Sequence, residues 1–174
     1  AERQKGTKGA RCVEKVKRKG KGVNPYAMCQ AATGQSYATG KKLKAIERMK
    51  NTLGLTNIKL IAGRAEDVAH EEPLRETFDI VTSRAVAEIP VLLEYAVPFL
   101  RKGGCVVLWK SLSVEKELES SEHAEKVLIT TFIHRHTYEL PEPFGKRQLL
   151  VFQKNAKTDP RYPRPVGVPK KNPL

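Results

Sequence analysis

"FDIVTSRAVAEIPVLLEYAVPFLRKGGCVVLWK", residues 78–110, decides the fold. Phe78–Thr82 is an apolar run of strand length. Ile89 onward reads as a helix, with Pro90 in its first turn and Gly103-Gly104 as its stop. Cys105–Lys110 is a second apolar run. Strand, helix and strand in this order predict two parallel strands joined by a crossover. The first strand ends on Ser83-Arg84. A charged arginine at the end of a buried strand is a poor choice for packing. It is a good choice for gripping a ligand, because open α/β sheets bind ligands outside the carboxyl ends of their strands. The packing alternative is a surface ion pair with Glu88, one turn on.

The pattern continues on both sides. "KKLKAIERMKNTLGL", residues 41–55, places Leu43, Ile46, Met49 and Leu53 on one helical face, stopped by Gly54. "NIKLIAG", 57–63, reads as a short strand, and "AEDVAHEEPLRET", 65–77, as a turn and a short helix. "SVEKELESSEHAEKVL", 113–128, is a charged helix. "TTFIHRHTYEL", 130–140, and "RQLLVFQK", 147–154, are strands with no helix between them, hence an antiparallel C-terminal hairpin. The expected fold class is α/β, with a mostly parallel sheet and helices on both faces. Three strand ends are polar and face one crevice if the strands are neighbours: Gly63–Asp67, Thr82–Arg84 and Lys110-Ser111. The stretch 156–174, "AKTDPRYPRPVGVPKKNPL", is Pro-rich and expected to be extended or irregular.

The chain has 174 residues, 40% of them hydrophobic, enough for one domain with a core. No apolar run reaches the roughly 18 residues of a membrane span. The first residues lack the apolar stretch of a secretory signal. A first residue of Ala rather than Met suggests part of a longer product. Cys12, Cys29 and Cys105 form no CxxC pair, which predicts reduced cysteines in the cytoplasm and no zinc or other metal site. Net charge is +13. Residues 1–42 hold eleven Lys or Arg against Glu2 and Glu14, a net of +9, leaving +4 for the other 132. That predicts a polyanion partner, nucleic acid through the basic segment 1–42, with a solvated basic tail as the alternative. Within residues 1–38 two short helices are expected, around Ala10–Lys19 and from Asn24-Pro25 to Gly34.

Taken in order, "KKLKAIERMKNTLGLTNI", "GRAED", "FDIVTSRAVA", "LLEYAVPFLRKGG", "VVLWK", "GKRQLLVFQK" and "YPRPVGVPKKNPL" resemble the RsmG family, also called GidB, over about residues 39–174. The resemblance implies a partial Rossmann-like class I methyltransferase sheet preceded by a basic helical N-terminal segment. It implies methyl transfer from S-adenosyl-L-methionine to N7 of a guanine in 16S rRNA. Ala65 and Glu66 would border the adenine of the cofactor. Arg84 would line both cofactor and active site as the catalytic residue. Lys110, Arg147, Lys170 and Lys171 would bind RNA. The implied partner is 16S rRNA or a small-subunit precursor, and the implied state is a monomer in the cytoplasm. The divisions are a basic segment 1–38, a methyltransferase domain 39–155 and a basic Pro-rich tail 156–174.

The family's Gly-rich turn has no counterpart in residues 1–38, and its acidic ribose-binding position falls at or near Tyr37. The family's sheet order, 3-2-1-4-5-7-6, then leaves this chain with strands 3 to 7. "NIKLIAG" should either close up beside "FDIVTS" or stand as an unsupported edge, and activity should be impaired. The alternative function is a non-catalytic basic nucleic-acid-binding module carrying a methyltransferase remnant. Other residues have blander alternatives. Glu66 and Asp67 suit a helix N-terminus, and Lys110 a solvated strand end. His134 and His136 suit a surface strand face, Trp109 packing, and Cys105 a buried core position.

Overall fold

The computed structural model describes residues 40–84 and 86–174. The expected basic helical segment, residues 1–38, lies outside the described residues. The elements are α1 (Gly40–Thr52), α2 (Ala65–Val68), β1 (Phe78–Arg84), α3 (Ile89–Ala96), a 3-10 turn (Val97–Phe99) and β2 (Leu100–Lys110). They continue with α4 (Glu115–Leu128), β3 (Thr130–Leu140), β4 (Gly145–Lys154) and α5 (Val168–Lys171).

The four strands form one sheet in the order β1-β2-β4-β3. β1 and β2 are parallel, as the crossover through α3 requires. β4 is antiparallel to both β2 and β3. This is the 4-5-7-6 part of the expected order. The class is α/β with a Rossmann-like crossover, but the sheet is not mostly parallel: one of its three pairings is. The difference comes from "NIKLIAG", which forms no strand. It neither closes up beside β1 nor stands as an edge. A single strand with no neighbour leaves its backbone donors and acceptors without a ladder, so nothing favours the extended form.

Every residue of α3 is buried, which suits a helix that is apolar nearly all round. It ends sooner than the sequence pattern suggests. Pro98 follows in the 3-10 turn, and the chain returns to the sheet at Leu100. Gly103-Gly104 is therefore not a helix stop but an irregularity inside β2. Phe78 faces Leu100, yet Ile80 faces Cys105, so the extra residues on β2 bulge out. A Cβ at Gly104 would lie 2.9 Å from the Asp79 carbonyl oxygen, and Gly103 has φ +82°. The ion pair between Arg101 and Asp79 closes the same corner.

Side-chain alternation separates two sheet faces. Val81, Val106, Leu108, Leu150 and Phe152 join the main core with the residues of α3 and Val114, Ala124 and Leu128 around α4. The opposite face carries Val107 and Val151, with Cys105. Cys105 is buried as expected, but it is disulfide-bonded, which corrects the expectation of reduced cysteines. α1 matches its expected bounds and stops before Gly54, at φ +63°. Its apolar face is not buried: Met49 and Leu53 are 63% and 69% exposed.

Candidate functional site

At the carboxyl end of β1, beside α3, lies a hollow lined by Val81, Thr82, Ser83, Val86, Leu92 and Tyr95. Its walls are mostly apolar, and Thr82, Ser83 and Tyr95 are the hydroxyl-bearing residues among them. Arg84 leaves the strand at this end. It is exposed, and it makes no ion pair or hydrogen bond among the described residues, so the pairing with Glu88 is not formed. By register it lies beside Trp109, on the face turned away from α4.

The "GRAED" stretch forms α2. Ala65 and Glu66 are both 3% exposed. Glu66 Oε1 accepts hydrogen bonds from Arg64 Nη2 at 3.2 Å and from the Gly167 backbone N–H at 3.3 Å. The Tyr95 hydroxyl also bonds to it. Burial, the Glu66 charge and that hydrogen bond push the tyrosine pKa up to about 12. Glu66 is thus engaged by several internal partners. One polar atom nearby stands apart: Arg64 Nε is buried and has no acceptor among the described residues.

Lys110 turns the other way from Arg84. Its Nζ donates to the Ala87 carbonyl at 2.8 Å and to Glu117 Oε2 at 2.5 Å. The same Glu117 oxygen accepts the Ile89 N–H at 3.1 Å. It thereby satisfies one of the donors left open at the start of α3, where a negative charge is favoured. Arg147 is half-buried, and its Nη1 donates to the Lys146 carbonyl at 2.8 Å. Lys170 and Lys171 are exposed on α5. The structure therefore gathers Ala65 and Glu66 near the β1 hollow, leaves Arg84 at the end of β1 on the opposite sheet face with no partner among the described residues, and spreads the other four.

The 156–174 segment is irregular apart from α5, yet it is firmly held. Arg164 forks onto Glu94 with Nε at 2.9 Å and Nη2 at 2.7 Å, and its backbone N–H adds a third bond at 2.8 Å. Glu94 is fully buried. The hydrogen bond to Glu94, and after it the Glu94 charge, hold the Arg164 pKa above its ordinary value against the effect of burial. Arg75 donates to the carbonyls of Ala69, Tyr162 and Asp159 at 3.1, 2.9 and 3.2 Å. His70 Nε2 lies 3.0 Å from the Pro163 carbonyl. Lys154, buried in β4, reaches Glu76 at 2.7 Å and the carbonyls of Val97 and Leu100.

Tyr95, Glu94, Arg75 and Arg164 were missed as members of this region. One signal was present. Glu94 interrupts the apolar helix "IPVLLEYA", and a carboxylate on a helix apolar all round must find a cation. Which cation answers it, seventy residues away, no local pattern tells.

S-adenosyl-L-methionine is the cofactor the resemblance implies, and the described residues fit it only in part. The hollow offers apolar walls, and Arg64 Nε–H is a donor with no acceptor among the described residues, features that suit the edge of an adenine. Glu66 is committed to internal partners, and among the described residues no Gly-rich strand–turn–helix offers backbone to the methionine end.

The model of the GidB family, rRNA small subunit methyltransferase G, matches residues 37–149. A ribosomal RNA small subunit methyltransferase G of Carboxydothermus hydrogenoformans is 43% identical over 134 residues, 77% of this chain and 57% of that protein. Its counterpart in Geobacillus thermodenitrificans is 39% identical over 168 residues, 86% of this chain and 71% of that protein. The chain spans just over half the length of most curated relatives it matches. Among solved structures, a protein of Thermoplasma acidophilum taken to be a methyltransferase superposes with a TM-score of 0.50 at 9% identity, covering 70% of this chain and 56% of that one. That likeness supports the fold alone. With the family model across 37–149 and relatives near 40% identity, the chain belongs to the GidB family, rRNA small subunit methyltransferase G.

Proposed function

We propose that this chain takes part in S-adenosyl-L-methionine-dependent methylation of guanine N7 in 16S rRNA, as its family membership implies. The observation that carries the reading is Arg84, exposed at the carboxyl end of β1 with no partner among the described residues, where such folds bind ligands. Guanine N7 already has a lone pair, so the reaction needs no general base. What the protein must do is hold that nitrogen in line. Arg84 suits that role, because its planar fork can clamp a phosphate or a base edge and it has no partner to leave among the described residues. Arg147, Lys170 and Lys171 would supply phosphate contacts, and Lys110 a positive charge already tied to Glu117. Ala65 and Glu66 would form the adenine side. The chain acts as a monomer in the cytoplasm, and the partial fit to the cofactor makes it a slow enzyme on its own.

The test is calorimetric titration of the folded chain with S-adenosyl-L-methionine, then transfer of labelled methyl to 16S rRNA. The expected result is weak binding, with slow formation of 7-methylguanine. Arg84→Ala should lower the rate on the order of 100-fold with no loss of fold. A folded chain that neither binds the cofactor nor methylates would sink the reading. So would an Arg84→Ala variant with unchanged rate.

A further inference from the structure

The sheet face turned away from α3 and α4 has no part in the hollow, yet its composition is unusual. Register lines up Arg84 beside Trp109, Trp109 beside Leu149, and Leu149 beside His136. One step closer to the β3–β4 turn, Arg147 lies beside Tyr138. Directly paired residues share a face, so these side chains make one surface, roughly 14 Å across three strand spacings. None of the register-paired positions on it is acidic. On the core side the acids cluster instead: Glu117 takes Lys110, and Glu115 takes Arg135.

The rings on this surface are ordered. His134, His136 and Tyr138 stand in a ladder, with centroids 6.5 and 6.2 Å apart and planes within 19° and 14° of parallel. The spacing follows the two-residue step of a strand, roughly 6.6 Å. His136 is exposed, and Tyr138 and Trp109 are half-buried, whereas the core-side neighbours Leu150 and Phe152 are fully buried. Arg84 and Trp109 lie at the carboxyl ends of β1 and β2, so the surface runs up to the crevice edge.

Aromatic rings on a sheet, interleaved with arginines and free of acids, suit unpaired nucleotides. Every base has a π-face to stack, and the guanidinium groups take the phosphates. We propose that this face binds single-stranded RNA, with bases on Tyr138 and His136, phosphates on Arg147 and Arg84, and Trp109 beneath the strand. The proposal rests on the rRNA methyltransferase reading and deepens it by naming the surface that holds the substrate next to its target.

Trp109 is the chain's only tryptophan, so its emission reports on this face. The full chain is titrated with a single-stranded octauridylate at about 0.2 M salt, where binding through phosphates alone is weak. Emission and the anisotropy of a labelled copy of the oligonucleotide are followed together. The expected result is saturable quenching, with affinity about tenfold weaker in Tyr138→Ala and in His136→Ala. Tyr138→Phe should bind like the parent, because it keeps the ring. Lys116→Ala, exposed on α4, should change nothing. Anisotropy rising with unchanged Trp109 emission would overturn the proposal. So would Tyr138→Ala binding as tightly as the parent, and so would no binding at all. In the first two cases RNA is held elsewhere, and the face is left to a protein partner. The cofactor titration contains no RNA, so a failure here leaves its result standing.

Discussion

Two carboxylates show how single residues hold this molecule together. Glu94 has no exposure, and Arg164 supplies both charge and geometry. Removing the arginine would leave a buried charge without a partner, the costly half of a buried ion pair. Arg164→Ala should destabilise the fold by about 3 kcal/mol or more, read as a lower urea midpoint. Glu76 adopts φ +55°, an uncommon region for a residue with a side chain. Its carboxylate receives Lys154 Nζ at 2.7 Å and the Thr158 N–H at 2.9 Å. Burial pushes its pKa up. The Lys154 and Thr158 hydrogen bonds and the charges of Lys154 and Arg75 outweigh that, so it lies below 4.5. The folded state therefore holds the deprotonated form more tightly than the unfolded chain does. The stabilisation is complete above the ordinary carboxylate value and fades as pH falls through the lower folded value. Urea midpoints from about pH 7 down to about pH 3 should drop, and Glu76→Gln should flatten that slope while lowering the neutral-pH midpoint.

At the scale of elements, the β1–α3–β2 unit carries the site, and its tightest point is Gly104. A methyl group there would press on the Asp79 carbonyl, and backbone oxygen cannot swing aside as a side-chain end can. Gly104→Ala should cost about 1–3 kcal/mol, seen as a lower melting temperature with the same circular dichroism before the transition. Gly63 is tight for another reason: a Cβ there would lie 2.3 Å from a methyl of Val68, a buried side chain that is stiff at χ1, so α2 itself would have to shift. The hairpin of β3 and β4 is legible from its alternation. Its Phe132/His134 irregularity is not, because no glycine or proline marks it.

Across the whole molecule, the last residues act as a clasp. Arg164, Thr158, the Gly167 N–H and the carbonyls of Tyr162 and Pro163 tie residues 156–174 to α2, α3 and the loop before β1. Ending the chain after Asn155 should expose Glu94 and Arg75 together. Such a chain should lose its cooperative unfolding transition and bind a hydrophobic dye at neutral pH. A truncated chain that melted as sharply as the parent would show the clasp to be decoration.

The sequence by itself determined the local and short-range features. The periodicity of α1, the crossover from β1 to β2, the closing hairpin and the position of Arg84 at a strand end all follow from nearby residues. The resemblance carried the sheet order β1-β2-β4-β3. Only tertiary structure decided the rest, because it depends on partners far apart in the chain. "NIKLIAG" has strand composition but no neighbour to pair with, so it is not a strand. Lys110 stands at a polar strand end, but Glu117 on the next helix claims it. The Pro-rich stretch reads as irregular, and it is. Its grip on Glu94 and Glu66 arises because two buried carboxylates need donors, and folding brings residues 164 and 167 to them.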